Sequence, residues 1–313
     1  MNDFVSIITV NYNGRKFLDG FLKSASELDY PKDKYEITLV DNGSEDDSVA
    51  FVKKNYPHVQ VLEVGKNLGF GKGNNYGRQR AGFNLFFLVN NDTFLEKDAL
   101  KEIVACYKKW SKKKEVGAVN ANLVLGDSYL PLKVENAYFS YYRLSAKASP
   151  INKKPFVTSY DKGQCHIEEV LLPINHFLEK GTKIRIKLKK VNSSEFKVCL
   201  GKKLFIKGES KKGSKKEEVT LSLRKEQLKN YRLNSIQNAG NILFRDGFGR
   251  DRGANIIAHK QYYEPDRGQY DEEEFITSFC GAGVLLNKKA LDKIGLFDKD
   301  FFMYYEDSDM SLR

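Results

Sequence analysis

The periodicity of apolar and polar residues divides the chain into a helix-and-strand region and a strand-only region. Through the first 125 or so residues, short apolar runs alternate with stretches in which apolar residues recur every three or four positions. The first pattern is typical of buried strands and the second of amphipathic helices. Strands are predicted at 4–10, 36–41, 59–64, 84–90 and 116–123, and helices at 16–27, 46–54, 73–80 and 97–110. This alternation indicates βαβ units and an α/β domain with a mostly parallel sheet.

The strand-only region begins near Gly126, where helical periodicity stops and apolar residues occupy every second position. The clearest example is KIRIKLK at 183–189. Further short strands are predicted at 196–200, 203–206 and 218–223. Strict alternation between turns predicts antiparallel strands, here a small β-sandwich.

The mixed pattern of helices and strands resumes after Ile236, with Gly-rich loops, a strand at 279–286 and a helix at 288–294. The β-rich module is therefore inserted into the α/β domain rather than appended to it. We predict an α/β domain formed by residues 1–126 and 236–313, interrupted by an antiparallel β-sandwich at 127–235.

Positive charge is concentrated in the predicted insert. The 313 residues have a formal net charge of +11, and residues 150–235 contain 21 lysines and arginines against 9 acidic residues. Lysine pairs with few interleaved aromatics favour a solvated surface, with an anionic partner such as a lipid surface or a charged glycan as the alternative. The pairs lie at 189–190, 202–203, 211–212 and 215–216. Nucleic-acid binding is disfavoured because no recognition element accompanies the charge.

Location and redox state follow from what the sequence lacks. No run approaches the roughly 20 consecutive apolar residues that a membrane helix needs, and the N-terminus has no basic region or cleavage site of a secretory signal. We expect a cytoplasmic protein, with peripheral contact at the inner face of the cell membrane as an option. The cysteines are not at disulfide-framework or zinc-ligand spacing, so we expect reduced thiols and no structural zinc.

Polar side chains gather where the predicted strands end, at Asn11, Asp41, Asn67 and Asn90. In an open α/β sheet, ligands bind outside the carboxyl ends of the strands. This clustering predicts a binding site at that edge before any motif is considered.

Asp41 and the Gly-rich stretch at 65–77 are the first two candidate motifs. A carboxylate at a strand tip can accept hydrogen bonds from a nucleobase imide or from ribose hydroxyls, although Asp41 could also serve the following turn and helix cap. The stretch GKNLGFGKGNNYG is of the kind whose backbone approaches phosphate closely. It has neither the Walker A pattern nor the dinucleotide glycine spacing.

Two groups of carboxylates complete the candidates. Asp92 follows an apolar strand and two asparagines, and Mg²⁺ typically takes one or two protein carboxylates while phosphates supply other ligands. Capping of the next helix is the alternative. Glu306, Asp307 and Asp309 fall within about one turn, and their mutual repulsion suits one of them for general-base work. An acidic first helical turn would explain the same pattern.

Together, and in their order along the chain, these segments resemble the family-2 inverting glycosyltransferases with the GT-A fold, in particular the rhamnosyltransferase-like branch. The segments are TVNYN from 9, VDNGSEDDS from 40, KNLGFGKGNNYG from 66, VNNDT from 89, GAGVLL from 281 and GLFDKDFFMYYEDSDMSLR from 295. They cover about residues 4–125 and 236–313. The resemblance implies a Rossmann-like GT-A domain and a dTDP-, UDP- or GDP-sugar donor.

The resemblance also implies roles for individual residues. Thr9, Asn11 and Asp41 would hold the nucleoside. The segment from Asn67 to Asn74, Gly69 included, would lie against the nucleotide and its phosphates.

Metal binding and base catalysis are implied by two further matches. Asn90, Asn91 and Asp92 occupy the place of the family's DxD motif, with Asp92 as the ligand of Mg²⁺ or Mn²⁺. Glu306 and Asp307 match the ED motif, in which the Asp is the base that deprotonates the acceptor hydroxyl. The implied reaction is metal-dependent, inverting transfer of rhamnose or another hexose to a cell-surface glycan or lipid-linked acceptor.

Two departures from the family leave an alternative function open. The insert, which resembles a carbohydrate-binding sandwich only in pattern, stands where many relatives have a short connection. The sequence ends directly after the ED motif, so we expect a catalytic domain that lacks its C-terminal part. The alternative is a non-catalytic sugar-binding or scaffold protein built on that domain.

Overall fold

The computed structural model describes most of the α/β region and the strands of the remainder. The described residues are 4–135, 137–144, 159–161, 164–166, 169–174, 182–190, 195–200, 203–209, 216–223, 233–245, 248–257 and 260–313. They divide into two compact units. Unit 1 comprises Met1–Leu123, Gln237–Tyr262 and Tyr270–Arg313, and unit 2 comprises Val124–Ile236 and Tyr263–Gln269.

Unit 1 is built on a six-stranded sheet whose order is β3-β2-β1-β4-β20-β5. Its strands are β1 (Val5–Asn11), β2 (Tyr35–Asp41), β3 (Gln60–Glu63), β4 (Leu85–Val89), β5 (Ala118–Asn120) and β20 (Gly283–Asn287). The pairs among β1 to β4 are parallel, and β20 is antiparallel to both of its neighbours. The prediction of an α/β domain with a mostly parallel sheet is therefore confirmed.

Helices cover this sheet. They are α1 (Arg15–Ser26), α2 (Ser48–Asn55), α3 (Gly69–Arg80), α4 (Ala99–Ser111), α5 (Lys288–Ile294) and α6 (Glu306–Leu312), with a 3₁₀ turn at Lys32–Lys34. Because successive side chains of a strand point to opposite faces, β1 contributes Ile7 to one core and Ile8 to the other. Burial on both faces explains why these strands are continuous apolar runs. Among the described residues, no helix combines the length and apolarity that crossing a membrane requires.

The ends of the strands define one edge of the sheet. In the register of β1 and β2, Asn11 lies opposite Asp41. The first residue of β20, Gly283, lies opposite Val89, the last residue of β4. The residues before β20 therefore meet the carboxyl ends of the parallel strands. Two short hairpins also lie in this part of the chain, β16 (Asn241–Leu243) with β17 (Gly249–Asp251) and β18 (Ala254–Ile257) with β19 (Lys260–Tyr263).

Unit 2 consists of strands paired largely in antiparallel sheets. They are β6 (Leu123–Glu135), β7 (Ala137–Leu144), β8 (Ser159–Asp161), β9 (Gln164–His166), β10 (Glu169–Ile174), β11 (Thr182–Lys190), β12 (Glu195–Leu200), β13 (Lys203–Glu209), β14 (Lys216–Leu223) and β15 (Leu233–Asn238). One sheet has the order β10-β6-β12-β13, with β15 also paired to β6, and another has the order β14-β11-β7.

The described side chains of unit 2 follow the predicted alternation in β12 and in the last residues of β6, whereas Ser235 and Ile236 of β15 are both buried. Leu132 and Val134 on β6 and Phe196, Val198 and Leu200 on β12 are buried at every second position. The packing of a complete β-sandwich stays a prediction. Of the lysine pairs, Lys202, Lys211, Lys212 and Lys215 lie outside the described residues.

Helix α3 begins four residues before its predicted start, at Gly69 rather than Gly73. Its glycines hide the apolar periodicity because they contribute no side chain, yet they allow the helix to approach the sheet. A Cβ atom at Gly73 would lie 2.9 Å from Val10 Cγ1, and one at Gly77 would lie 2.7 Å from Ile8 Cγ2. The glycines are therefore required by packing, which apolar periodicity does not report.

This packing predicts opposite effects for two Gly→Ala changes in helices. At Gly77 the added methyl would also lie 2.9 Å from Val40 Cγ2, and overpacking of this kind costs about 1–3 kcal/mol. Gly20, in α1, has no atom within 4 Å of the corresponding position, so Gly20→Ala should add up to ~1 kcal/mol through helix propensity. Urea unfolding followed by the fluorescence of Trp110 checks both. Equal stabilities for the two variants would contradict the packing explanation.

Candidate functional site

A buried hydrogen-bond network joins the tips of β1 and β2. Asn11 is fully buried and Asp41 is 3% exposed. Asn11 Nδ2 donates to Asp41 Oδ1 over 3.1 Å and to Ser44 Oγ over 2.9 Å. The turn after β2 closes on the same carboxylate, because Ser44 donates its N–H to Oδ2 (2.9 Å) and its hydroxyl to Oδ1 (2.6 Å). The Asp41 carboxylate is therefore oriented by three protein donors.

The same asparagine reaches the segment that follows β4. Asn91 Nδ2 donates to Asn11 Oδ1 over 2.7 Å, and the N–H of Asn90 donates to the carbonyl of Ala282 before β20. A side chain at Gly14 would collide with both Asn11 and Asn91. The network thus fixes the asparagines, while Asp92, the next residue, is exposed and makes no hydrogen bond within the described part of the chain.

Thr9, one of the predicted nucleoside contacts, is fully buried. Its hydroxyl has no hydrogen-bond partner among the described residues. The structure therefore places Thr9 within the body of the sheet, behind the polar tips, and Asn11 as the residue that connects those tips.

The Gly-rich segment is fixed by its own asparagines. Asn67 Oδ1 accepts the N–H of Gly69 over 2.9 Å, and Asn42 Nδ2 donates to the carbonyl of Gly69 over 3.0 Å. Gly69 has φ +79°, and a Cβ there would collide with the carbonyl of Phe302. Asn74 is buried and donates to the carbonyl of Phe70 over 3.1 Å. This part of the chain therefore offers backbone at the start of α3, not bulky side chains.

Glu306 and Asp307 form the first turn of α6. Asp307 Oδ2 accepts the N–H of Gly281 over 3.1 Å, and Oδ1 accepts the N–H of Ser308 over 2.7 Å. The pair follows two aromatic residues in the left-handed region, Tyr304 (φ 71°) and Tyr305 (φ 66°). Non-glycine residues in this conformation are costly and cluster at functional sites. Asp307 is thus held by two N–H groups.

Glu306 differs from its neighbour in burial. It is 5% exposed, and its Oε2 atom has no hydrogen-bond partner among the described residues. Burial raises the pKa of Glu306, and the nearby charge of Asp307 acts in the same direction. Asp309, the third carboxylate of the predicted cluster, forms an ion pair with Arg313 instead.

Several residues of the site are not predicted from the sequence. Asn42 and Ser44, in the turn after β2, orient Asn67, Gly69 and Asp41. Asn120 Oδ1 accepts the N–H of Cys280 over 2.7 Å, and so helps position the segment that contacts Asp307. These contacts depend on tertiary pairing. Asn42 and Ser44 belong to the segment VDNGSEDDS, but the segment does not indicate which residues they contact.

The residues present fit a divalent cation with few protein ligands. Within the described ranges, no group of three or more His, Cys, Asp or Glu side chains could hold a metal by itself. Asp92 nevertheless offers an exposed carboxylate without a competing partner, at the sheet edge where a diphosphate could supply further oxygen ligands. The chemistry of the donor set suits Mg²⁺ or Mn²⁺.

Curated proteins with known names match about a third of the chain. Poly(ribitol-phosphate) beta-N-acetylglucosaminyltransferase TarS of Staphylococcus aureus is 30% identical over 103 residues, which is 32% of this chain and 18% of that protein. A dolichyl N-acetyl-alpha-D-glucosaminyl phosphate 3-beta-D-2,3-diacetamido-2,3-dideoxy-beta-D-glucuronosyltransferase of Methanococcus voltae is 26% identical over 115 residues, 35% of this chain and 36% of that protein. The chain thus spans well under half the length of either relative.

Solved structures show a likeness of similar extent. Mannosyltransferase PcManGT from Pyrobaculum calidifontis, in complex with GDP-Man and Mn²⁺, is 26% identical, with a TM-score of 0.34 over 37% of this chain and 34% of that chain. The structure of S. aureus TarS is 27% identical, with a TM-score of 0.33 over 34% and 20% of the two chains.

The profile of glycosyl transferase family 2 matches residues 6–142. That range contains the network of Asn11, Asp41 and Asn91, the Gly-rich segment and Asp92. Over these residues the chain is therefore similar to glycosyl transferase family 2.

Proposed function

We propose that this chain binds a nucleotide-diphosphate sugar and transfers the sugar to a hydroxyl group of a glycan or lipid-linked acceptor. The observation that carries the proposal is the buried chain of hydrogen bonds from Asp41 through Asn11 to Asn91. It joins the ends of three neighbouring parallel strands, β2, β1 and β4, the place where open α/β sheets bind ligands, within the region that matches the family.

The nucleotide would lie along this edge. Asp41 would accept hydrogen bonds from the nucleoside, with its orientation set by Asn11 and Ser44, and the backbone at the start of α3 would approach the phosphates. Asp92 would hold a divalent cation, which when bound offsets the negative charge of the diphosphate leaving group. The roles of Thr9 and Asn74 would be to position these groups, because both side chains are buried.

Asp307 would act on the acceptor. Its carboxylate would take the proton of the attacking hydroxyl, as the oxygen of that hydroxyl bonds to the anomeric carbon and the bond from that carbon to the diphosphate breaks. Attack in line with the departing group inverts the anomeric centre and requires no covalent sugar intermediate. The N–H groups of Gly281 and Ser308 fix the carboxylate for this step.

The identity of the donor sugar and the cellular location of the reaction are more specific proposals than the transfer itself. The names of the two relatives include N-acetylglucosaminyl and diacetamido-glucuronosyl groups, whereas the sequence motifs favour rhamnose or another hexose. A first screen should therefore include UDP-GlcNAc, dTDP-rhamnose and GDP-mannose. The names of these relatives specify poly(ribitol-phosphate) and a dolichyl-phosphate-linked sugar. We propose a glycan or lipid-linked acceptor for this chain as well, with the reaction at the cytoplasmic face of the membrane in the synthesis of a cell-surface polysaccharide.

Thermal-shift measurements with UDP, dTDP and GDP, with and without Mn²⁺, test the donor site and Asp92. A ligand that binds only the folded state adds ~2.7 kcal/mol at a hundredfold excess over its Kd. Asp92→Asn should lose the Mn²⁺-dependent part of the shift and keep its unliganded Tm, because an exposed side chain without partners contributes within ~0.5 kcal/mol. Asp98→Asn, also exposed, should behave like the parent. An undiminished Mn²⁺ effect in Asp92→Asn would exclude Asp92 as the ligand.

Asp307→Asn tests the base. The amide can still accept a hydrogen bond from Gly281 but cannot take a proton, so nucleotide binding should persist while transfer falls by at least ~100-fold. Asp309→Asn in the same helical turn is the matched control and should keep transfer. Donor consumption and nucleotide Kd measured on all three proteins provide the check. Full transfer by Asp307→Asn would move the role of base to another carboxylate.

The burial of Glu306 predicts a pH-dependent stability. Its raised pKa means that the folded chain binds this proton more tightly than the unfolded chain, whose glutamates titrate near 4.5. Ionisation therefore lowers stability as the pH rises above 4.5 and through the raised pKa. The difference in Tm between Glu306→Gln and the parent should consequently increase, in favour of the variant, as the pH is raised from 4 to 8.

Glu115→Gln provides a control of opposite sign. The ion pair with Lys293 lowers the pKa of Glu115, so its small contribution is present at neutral pH and lost in acid. A Tm difference for Glu306→Gln that does not change with pH would contradict the assignment of a raised pKa.

A further inference from the structure

Asp251 is a half-buried carboxylate that the proposed reaction does not use. It ends β17, opposite Asn241 of β16. The side chain of Asn238, which is 1% exposed, donates to Asp251 Oδ1 over 2.9 Å and to Asn241 Oδ1 over 2.7 Å. A buried amide therefore fixes the direction of this carboxylate.

The hairpin that carries Asp251 is anchored to the segment that contacts Asp307. Asn241 donates its N–H to the carbonyl of Ser278 over 2.7 Å and its Nδ2 to the carbonyl of Phe279 over 3.0 Å. Two residues later, Gly281 donates to Asp307. Asp251 and Asp307 are thus held from the same short stretch of chain.

The electrostatics agree with this proximity. Burial and then the charge of Asp307 raise the pKa of Asp251, against the hydrogen bond from Asn238. The same charges act on the thiol of Cys280. Burial is the main cause that raises the pKa of this thiol to about 11, and the charges of Asp307, Asp251 and Glu306 act in the same direction. Three carboxylates therefore act electrostatically on the same thiol.

Arg252, which follows Asp251 in the chain, is engaged by other partners. Arg252 Nη1 donates to the carbonyl of Ala239 over 3.1 Å, and Arg252 Nη2 pairs with Glu274. Within the described part of the chain, Asp251 Oδ2 accepts no hydrogen bond, and the buried Oε2 of Glu306 likewise has no partner. Partly desolvated, like-charged acceptors without donors destabilise a folded chain and are typical of sites that await a ligand.

We propose that Asp251 is a substrate-binding residue, which accepts a hydrogen bond from a hydroxyl group of the sugar that lies against Asp307. A sugar hydroxyl is the complementary group, because it is a neutral donor and carboxylates accept strongly. The inference rests on the proposed function. The hydroxyl belongs either to the donor sugar or to the acceptor sugar, and these two sources give different results in the experiment below.

The experiment compares the parent, Asp251→Asn and Asp271→Asn, which changes an exposed aspartate of the same unit. The asparagine is isosteric and can still accept from Asn238, so the hairpin is preserved. Relief of repulsion from Asp307 should leave the Tm of Asp251→Asn equal to or above that of the parent. A merely structural role for Asp251 would instead lower it.

Two sets of measurements follow. The first is the Kd of UDP and UDP-GlcNAc, and of GDP and GDP-mannose, for each protein by calorimetry. The second is the KM and kcat for transfer to a panel of p-nitrophenyl glycosides, with hydrolysis of the nucleotide sugar as the acceptor-independent reaction. Loss of one charged hydrogen bond to a hydroxyl should cost about 10- to 100-fold.

A donor-sugar contact would make Asp251→Asn bind nucleotide sugars about 10- to 100-fold more weakly while the free nucleotides bind as before. An acceptor contact would preserve every Kd and the hydrolysis rate, but raise the acceptor KM by that factor. Unchanged values in both sets, or a Tm below that of the parent, would overturn the proposal. Failure of the parent to bind any nucleotide would instead refute the proposed function and is recognised before the variants are compared.

Discussion

The side chain of Asn11 is the contact on which the arrangement of the site depends. Its amide donates to Asp41 and Ser44 and accepts from Asn91, so that both ends of the group are used. Because Asn11 and Asp41 are buried, the side chain of either residue would cost about 1–3 kcal/mol if it were left unpaired. The register of β1 against β2, which pairs Asn11 with Asp41, is therefore supported by polar bonds as well as by the apolar cores.

Much of the fold can be predicted from the sequence, because burial on two faces produces continuous apolar strands. The helix α5 also spans the predicted residues. The boundary errors occur where packing and periodicity disagree. Helix α3 starts early because glycines support its close contact with the sheet, and the strand predicted at 116–123 is limited to Ala118–Asn120. Backbone pairing in β5 requires a neighbour, and β20 comes from more than 150 residues later in the chain.

The arrangement of the site can be predicted from the sequence only in part. Strand-end positions indicate that Asn11, Asp41 and Asn90 share an edge, since parallel strands end on one side of a sheet. The sequence cannot indicate that Asn91 turns towards Asn11, or that Gly281 contacts Asp307, because these contacts depend on side-chain direction and on loops. The strained backbone at Tyr304 and Tyr305 is likewise invisible to propensity, since neither residue type favours positive φ.

The Gly-rich helix and the helix that carries Asp307 are mechanically joined. The N–H of Phe70 donates to the carbonyl of Phe302 over 2.9 Å, and the side chain of Asn75 exchanges two hydrogen bonds with the backbone of Phe297. A ligand that shifts the start of α3 would therefore shift the loop before Glu306. Such coupling is reciprocal, so a ligand held at the start of α3 and a ligand held at Asp307 would each change the affinity of the protein for the other by the same factor.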